Sequence, residues 1–150
     1  MIANTTGERE ATEASMAVKT CHALVEAWNA HDTAKIAAIY SADCTGTDVA
    51  MATPVIGRDG VRRRVESYLR AFPDIRFTIQ DLIVESGRTV VVWQARGTQD
   101  GMVMNIPPTR RNVVVSGVWV LSLREGQIER STCVWDVAGM LRGLGLLPEL

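Results

Sequence analysis

The second half of the sequence contains four β-rich segments, and their spacing constrains the fold more than any other feature. Segments 75–85, 88–99, 112–124 and 127–135 are enriched in β-branched and aromatic residues. The turns ESGR and REGQ are short and contain glycine, so we expect neighbouring strands to form antiparallel hairpins. The connection DGMVMNIPPTRR is longer, and its prolines keep it out of a sheet interior. This half of the chain therefore predicts a meander of strands.

The first half has helical periodicity instead. Thr12 is a candidate cap for a helix that runs to about Asn29, Thr33 is one for a second short helix, and a third helix follows Gly57. The segment CTGTDVAM, between the second and third helices, is typical of a short irregular strand. Helices followed by a strand meander predict an α+β fold, in which a curved, mostly antiparallel sheet wraps around the N-terminal helices.

Length and composition place the chain among single-domain proteins. Its 150 residues suit one domain with one core. The polar start MIANTTGEREATEAS has no apolar signal core, so we expect a flexible tail over residues 1–11, a single domain over residues 12–150 and a cytoplasmic location. No apolar run reaches membrane-spanning length, so a membrane is not an expected partner.

Charge and cysteine usage argue against a nucleic-acid partner and a metal site. The chain has 16 basic and 17 acidic residues, which gives no electrostatic reason to expect nucleic acid as a partner. Cys21, Cys44 and Cys133 have no metal-binding spacing and cannot all pair, so free thiols and no metal site are expected.

Strand alternation sorts the side chains of the predicted sheet into two faces. One face carries an indole on each of three successive strands, Trp93, Trp119 and Trp135, and an indole offers a large flat surface for shaping a hydrophobic ligand. This face predicts a pocket wall, with core filling as the alternative. The opposite face of segment 112–124 is too apolar for open solvent and predicts a homodimer surface; it consists of Val114, Ser116, Val118 and Val120.

Three stretches together resemble a known family. They are EAWNAHDTAKIAAIYSADC, GRDGVRRRVESYLRAFPDIRFTI and GTQDGMVMNIPPTRRNVVVSGVWVLSLREGQIERSTCVWDVAGMLRGLGLLP. In them the chain resembles the SnoaL-like polyketide cyclases, within the superfamily of ketosteroid isomerase and nuclear transport factor 2-like folds. The resemblance implies a conical α+β barrel with a deep apolar pocket. It also implies a homodimer that acts on a hydrophobic small molecule without a cofactor.

The resemblance also implies where acid–base residues would stand, and several are replaced here. The cyclases' general acid/base on the last strand matches Cys133, a histidine on the preceding strand matches Trp119, and a histidine in a nearby turn matches Gln99. Limonene-epoxide hydrolases share the fold, and the last carboxylate of their Asp-Arg-Asp arrangement also falls at Cys133. The proton-shuttling base of ketosteroid isomerases matches Asp48, which keeps its carboxylate.

Each candidate has a functional and a structural interpretation. A carboxylate at position 48, half buried in an apolar mouth, holds a proton more readily and can move a carbon-bound proton. Asp48 can equally be a loop aspartate that binds local amides. Cys133 is a weak acid or nucleophile if positive charge lies nearby, and otherwise a small packing residue. Asp136 is expected to cap the last helix.

The remaining site candidates surround these residues. Gln99 and Ser131, with Asp48 and Cys133, are expected to supply any hydrogen bond to the substrate. Met102 and Met104 form either a flexible apolar lip over the pocket or loop anchors. Arg62 to Arg64 are expected on the exposed face of the third helix, without a function.

Two classes of function remain open from the sequence. The first is a cofactor-independent cyclase, which holds a polyketide-derived substrate in a reactive conformation, since confinement alone can supply a large rate factor. An epoxide-opening cyclase or hydrolase is a variant of this class. The second is a non-catalytic protein of the same fold that binds a hydrophobic small molecule. The replaced acid–base positions favour the second class, and the indole-lined face fits both.

Overall fold

The computed structural model describes residues 4–150, which form four helices and six strands. In chain order these are α1 (Asn4–Asn29), α2 (Thr33–Ile39), β1 (Tyr40–Asp48), β2 (Val55–Ile56), α3 (Gly57–Ala71), β3 (Arg76–Glu85), β4 (Arg88–Thr98), β5 (Asn112–Arg124), β6 (Gln127–Trp135) and α4 (Val137–Gly143). None of the described helices combines the length and apolarity needed to cross a bilayer.

The strands form one sheet in the order β2-β1-β6-β5-β4-β3. All neighbours pair antiparallel except β1 and β6, which pair in parallel. The α+β prediction is therefore confirmed. The expected barrel is not closed, because β2 and β3 form the two edges of the sheet.

The hairpins form where the turn residues predict them. The pairs Ser86–Gly87 and Glu125–Gly126 have positive φ at both central positions, 44° and 77° in the first and 53° and 76° in the second. Such turns match the right-handed twist of the strands they join. They fix the register of β3 on β4 and of β5 on β6, and so decide which side chains point inward.

The first helix begins earlier than the sequence predicts. Residues 1–3 of the predicted tail lie outside the described residues, but α1 starts at Asn4, so residues 4–11 are helical, and residues 5–11 are solvent-exposed. Thr12 is not a cap, since its hydroxyl lies inside the helix and donates to the Glu8 carbonyl at 2.8 Å. Glu, Arg and Ala are strong helix formers and extend the helix without tertiary contacts. The predicted mobility of this segment stays a prediction.

The C-terminal end of α1 is fixed to β3. Asn29 donates to the Phe77 carbonyl at 2.9 Å and accepts from the Phe77 amide at 2.7 Å. The Trp28 and Phe77 rings pack with centroids 5.0 Å apart. Because α3 crosses near the opposite end of the sheet and contacts β1 and β2, the helices enclose a space above the sheet's inner face.

Candidate active site

A cavity of about 130 Å³ lies between the helices and the inner face of the sheet. Its wall is mostly apolar, and Trp93, Trp119 and Trp135 all belong to it, as the strand alternation predicts. Ser131 and Cys133 from β6 and Asp48 from β1 also line it. The structure thus brings six of the nine predicted site residues together.

A glycine lies between two of the indoles that line this cavity. Gly117 on β5 lies directly opposite Trp93 on β4 and Trp135 on β6. A Cβ atom at Gly117 would lie 2.4 Å from Cζ2 of Trp93 and 2.8 Å from Cβ of Trp135. The benzo ring of Trp93 therefore lies against the backbone of Gly117, a position that only a residue without a side chain leaves open.

Aromatic contacts hold the other side of the wall. The Phe77 ring centroid lies 5.1 Å from that of Trp93 and 5.2 Å from that of Trp119, and the two indoles are 5.5 Å apart. Tilted and edge-to-face pairs at these distances are favourable beyond their buried area. The tryptophans are consequently both core and cavity wall, so the two alternatives for them are not exclusive.

Asp48 is buried at the end of β1, and its carboxylate joins three elements. Oδ1 accepts hydrogen bonds from Nε1 of Trp135 and from the amide of Ala50, both at 3.0 Å. Oδ2 accepts one from the Tyr68 hydroxyl at 2.6 Å, and Nη1 of Arg64 lies 3.6 Å away. The hydrogen bond from the Ala50 amide is of the kind expected for a loop aspartate that binds local amides. The other three contacts make Asp48 the polar end of the cavity.

The sequence prediction missed two members of this polar end, Tyr68 and Arg64. The expectation that Arg64 is exposed is wrong: its side chain is 18% exposed and lines the cavity, whereas Arg62 and Arg63 face solvent. The reason is helical spacing, because Arg64 falls three residues after the buried Val61. The helical spacing of the apolar residues Val61 and Val65, extended to polar residues on the same face of α3, would have identified it.

Cys133 lies directly opposite Asp48 in the parallel pairing of β1 and β6. Burial, and then the charge of Asp48, raise the pKa of its thiol to about 12. A thiol with such a pKa stays protonated near neutrality, so it is not an activated nucleophile. His22 is exposed on α1, and no histidine lines the cavity within residues 4–150, so none supplies positive charge to this thiol. Cys133 can offer a weak hydrogen-bond donor.

The structure does not bring the other three candidates to the cavity, which corrects their predicted role. Gln99 is fully buried in the loop after β4. Its amide donates to the carbonyls of Gly101, Ile106 and Pro107, and its oxygen accepts from the amide and hydroxyl of Thr109. Every polar group of the side chain is used to hold this loop.

The two methionines lie on the loop that Gln99 holds. Met102 is 62% exposed, and Met104 packs against the core without lining the cavity. Neither forms a lip over the pocket, so loop anchoring is the better description of Met104. Asp136 caps α4 as predicted, accepting from the Gly139 amide at 2.8 Å. Within residues 4–150, no three His, Cys, Asp or Glu side chains are grouped closely enough to hold a metal ion.

Comparisons with solved structures find the same fold in several proteins. AclR, a proposed hydroxylase from Streptomyces galilaeus, has a TM-score of 0.80 and 26% identity, over 91% of this chain and 85% of that protein. IdmH, a proposed polyketide cyclase from Streptomyces antibioticus, has a TM-score of 0.75 and 26% identity, over 85% of this chain and 97% of IdmH.

A third similar structure shows the fold alone. A Catenulispora acidiphila protein described as having a ketosteroid isomerase-like fold has a TM-score of 0.74 at 16% identity, over 85% of this chain and 93% of that one. No curated protein matches the sequence. The family model described as SnoaL-like polyketide cyclase matches residues 19–144. With this match over most of its length, and with the fold of IdmH, the chain belongs to the SnoaL-like polyketide cyclase family.

Proposed function

We propose that the protein is a cofactor-independent cyclase, which promotes ring closure in a polyketide-derived or similarly hydrophobic intermediate. The observation that carries the proposal is the contrast within one cavity. Most of the wall is indole and aliphatic, while Asp48, Arg64 and Tyr68 form a buried polar end. Pockets with an apolar body and a few converging polar groups are typical of small-molecule sites.

The size of the cavity limits what it can enclose. An apolar cavity of about 150 Å³ takes up benzene, so a cavity of about 130 Å³ is suited to one six-membered ring. We infer that the protein encloses the reacting segment, with the rest of a longer substrate extending past the exposed lining residues Thr47 and Arg96. Holding that segment folded contributes through proximity, and the polar end adds acid–base help.

Gene deletion tests this proposal and does not require the substrate to be identified first. The deletion strain should accumulate an open-chain precursor or a mixture of ring isomers, detected by mass spectrometry and chiral chromatography. The wild-type gene should restore one product. Trp119→Ala should restore a changed product distribution, because it removes a wall that imposes shape. An unchanged metabolite profile on deletion would contradict the cyclase proposal.

A non-catalytic binding protein is the second candidate, and the state of Cys133 favours it. The position that carries the family's acid/base carboxylate holds a protonated thiol here. Under this alternative, purified protein would bind the precursor tightly and leave its rate of conversion equal to that in buffer. An epoxide-opening enzyme would instead require an epoxide precursor in the deletion strain.

We also propose a homodimer formed through the outer face of the sheet. Val118 lies opposite Val92 on β4 and Val134 on β6, which makes an apolar band across three strands. Val114 and Val134 are 46% and 43% exposed in the single chain. Exposed contiguous apolar surface of this kind favours association.

A further inference from the structure

We propose that Tyr68 is the residue that exchanges a proton with the substrate, and that Asp48 acts through it as the proton acceptor. This inference rests on the proposed function and narrows it to substrates with an enolisable carbonyl group. Aldol and Michael ring closures both begin with loss of a proton from the carbon beside a carbonyl.

The Asp48 carboxylate is enclosed by its own hydrogen-bond partners. Oδ1 already accepts two hydrogen bonds, from Ala50 and Trp135. Oδ2 accepts from Tyr68 at 2.6 Å and faces Arg64 at 3.6 Å. With two hydrogen-bond donors on Oδ1, one on Oδ2 and only 7% exposure of the side chain, little of the carboxylate is open to a carbon acid. A base must come within hydrogen-bonding reach of the proton it removes.

Tyr68 is better placed than Asp48 to meet a substrate. It lines the cavity, is less buried than Asp48, and is held by an edge-to-face contact with Trp135, with centroids 6.2 Å apart. Burial, and then the hydrogen bond and charge of Asp48, raise the pKa of the Tyr68 phenol above its ordinary value. The phenol thus keeps its proton at neutral pH, points it at Asp48, and leaves its oxygen lone pairs for another donor.

Protons and electron pairs balance in this relay. The substrate's α-carbon gives its proton to Oη of Tyr68 while the phenolic proton moves to Oδ2 of Asp48, and the C–H electron pair becomes the enolate. The enolate carbon then bonds to the electrophilic carbon and closes the ring. The new oxyanion takes a proton from Tyr68, which recovers its own from Asp48. No oxidant or cofactor is needed.

The Arg64 cation balances the negative charge both before and after this transfer. Its Nη2 donates to the Thr53 carbonyl at 2.9 Å, while Nη1 is buried and has no hydrogen-bond acceptor among residues 4–150. The Arg64 cation compensates Asp48 in the resting state. Once Asp48 is protonated, the same cation faces the enolate, so the polar end holds one positive and one negative charge before and after the transfer.

The test uses a small probe in place of the unidentified substrate. Racemisation of one enantiomer of 2-methylcyclohexanone, followed by chiral gas chromatography, reports removal and return of the α-proton. Wild-type protein should racemise it faster than buffer. Tyr68→Phe and Asp48→Asn should each lower the rate by about a hundredfold or more. The double variant should lose no more than either single one, because the two residues act as a unit.

The expected results separate a relay from direct abstraction by Asp48. Direct abstraction predicts that Tyr68→Phe keeps or raises the rate, since it uncovers Oδ2, and that result would overturn the proposal. The wild-type rate in H₂O should clearly exceed that in D₂O, because the phenolic proton is in flight; equal rates would also overturn it. This isotope comparison needs no variant, so a folding defect cannot affect it.

Controls distinguish this inference from the proposed function. Asp43→Asn, an exposed aspartate outside the cavity, should keep the wild-type rate. Wild-type protein that does not racemise the ketone would overturn the relay even if gene deletion abolishes ring closure in the cell. Conversely, the deletion strain could keep an unchanged metabolite profile while the protein racemises the ketone with the expected variant effects. That result would support the Tyr68–Asp48 relay and contradict only the cyclase proposal.

Discussion

Asp48 and Cys133 lie directly opposite each other on the parallel strands β1 and β6. The family's last-strand carboxylate would stand at Cys133, beside Asp48 at the same end of the cavity. Two carboxylates so placed would repel each other. A protonated thiol carries no charge and so does not repel the carboxylate. The thiol at position 133 therefore allows Asp48 to stay ionised beside it.

The protonated thiol leads to a pH dependence of folding. The pKa of Cys133 is about 12 and that of Cys21 about 11 in the folded protein, both raised chiefly by burial, whereas an unfolded thiol titrates near about 8.5. Above that pH the folded state binds more protons than the unfolded state, so stability must fall as pH rises. Urea unfolding should show full stability below about pH 8.5 and a steady loss above it.

Cys133→Ser isolates one of these groups. The variant should lower the slope of unfolding free energy against pH by about 1.4 kcal/mol per pH unit between roughly pH 9.5 and 11, because one titrating group is removed. Urea midpoints at several pH values measure this slope. An unchanged slope would mean that the thiol ionises equally in both states.

Asp48 should be important for stability, since its carboxylate joins β1, β6 and α3. Asp48→Asn leaves the Arg64 cation uncompensated and turns an amide N–H₂ towards a donor, so we expect a loss of about 3 kcal/mol. Asp43→Asn is the matched control, because Asp43 is exposed and pairs with Arg124 at 3.0 Å. Its urea midpoint should not move. Equal midpoint shifts in the two variants would contradict the buried ion pair.

Gln99 should hold the loop after β4 rather than a ligand. Gln99→Glu keeps the shape but places an anion against the carbonyls of Gly101, Ile106 and Pro107, which now accept from the amide. We expect a loss of about 3 kcal/mol or more and faster amide hydrogen exchange over residues 101–109. Gln80→Glu, at an exposed position on β3, should change neither. A stable Gln99→Glu variant with normal exchange would contradict this role.

The sheet could be predicted from the sequence because its signals are local. Alternation along each strand and glycine in each turn decide which side chains face inward, and Trp93 and Trp119 lie where that pattern puts them. The contact of Asp48 with Tyr68 could not be predicted, since it depends on where α3 crosses the sheet. For Gln99 the orientation could be predicted but the role could not. Alternation correctly turns the side chain inward, but β4 ends at Thr98, and the side-chain amide binds the loop rather than a ligand.

Gly117 should be intolerant of any side chain. Gly117→Ala brings a methyl group against the benzo ring of Trp93, so we expect a loss of about 2 kcal/mol from overpacking. Trp93→Phe removes the ring atoms concerned and should recover part of the loss in the double variant; the contact with Trp135 remains. Gly7→Ala, with no atom within 4 Å of the added methyl, should stabilise the exposed helix by up to about 1 kcal/mol. If the stability losses of Gly117→Ala and Trp93→Phe simply add in the double variant, the contact between position 117 and the Trp93 ring is contradicted.

The outer face of β5 and β6 should hold two copies of the chain together. Val134→Lys places a charge in the apolar band, opposite Val118, where desolvation in an interface is costly. Light scattering after gel filtration should give twice the chain mass of 16.4 kDa for wild type and the single mass for the variant. Val18→Lys, at an exposed position on α1, should remain a dimer. Wild-type protein that is monomeric at micromolar concentration would rule out this interface, and dissociation by both variants would place it elsewhere.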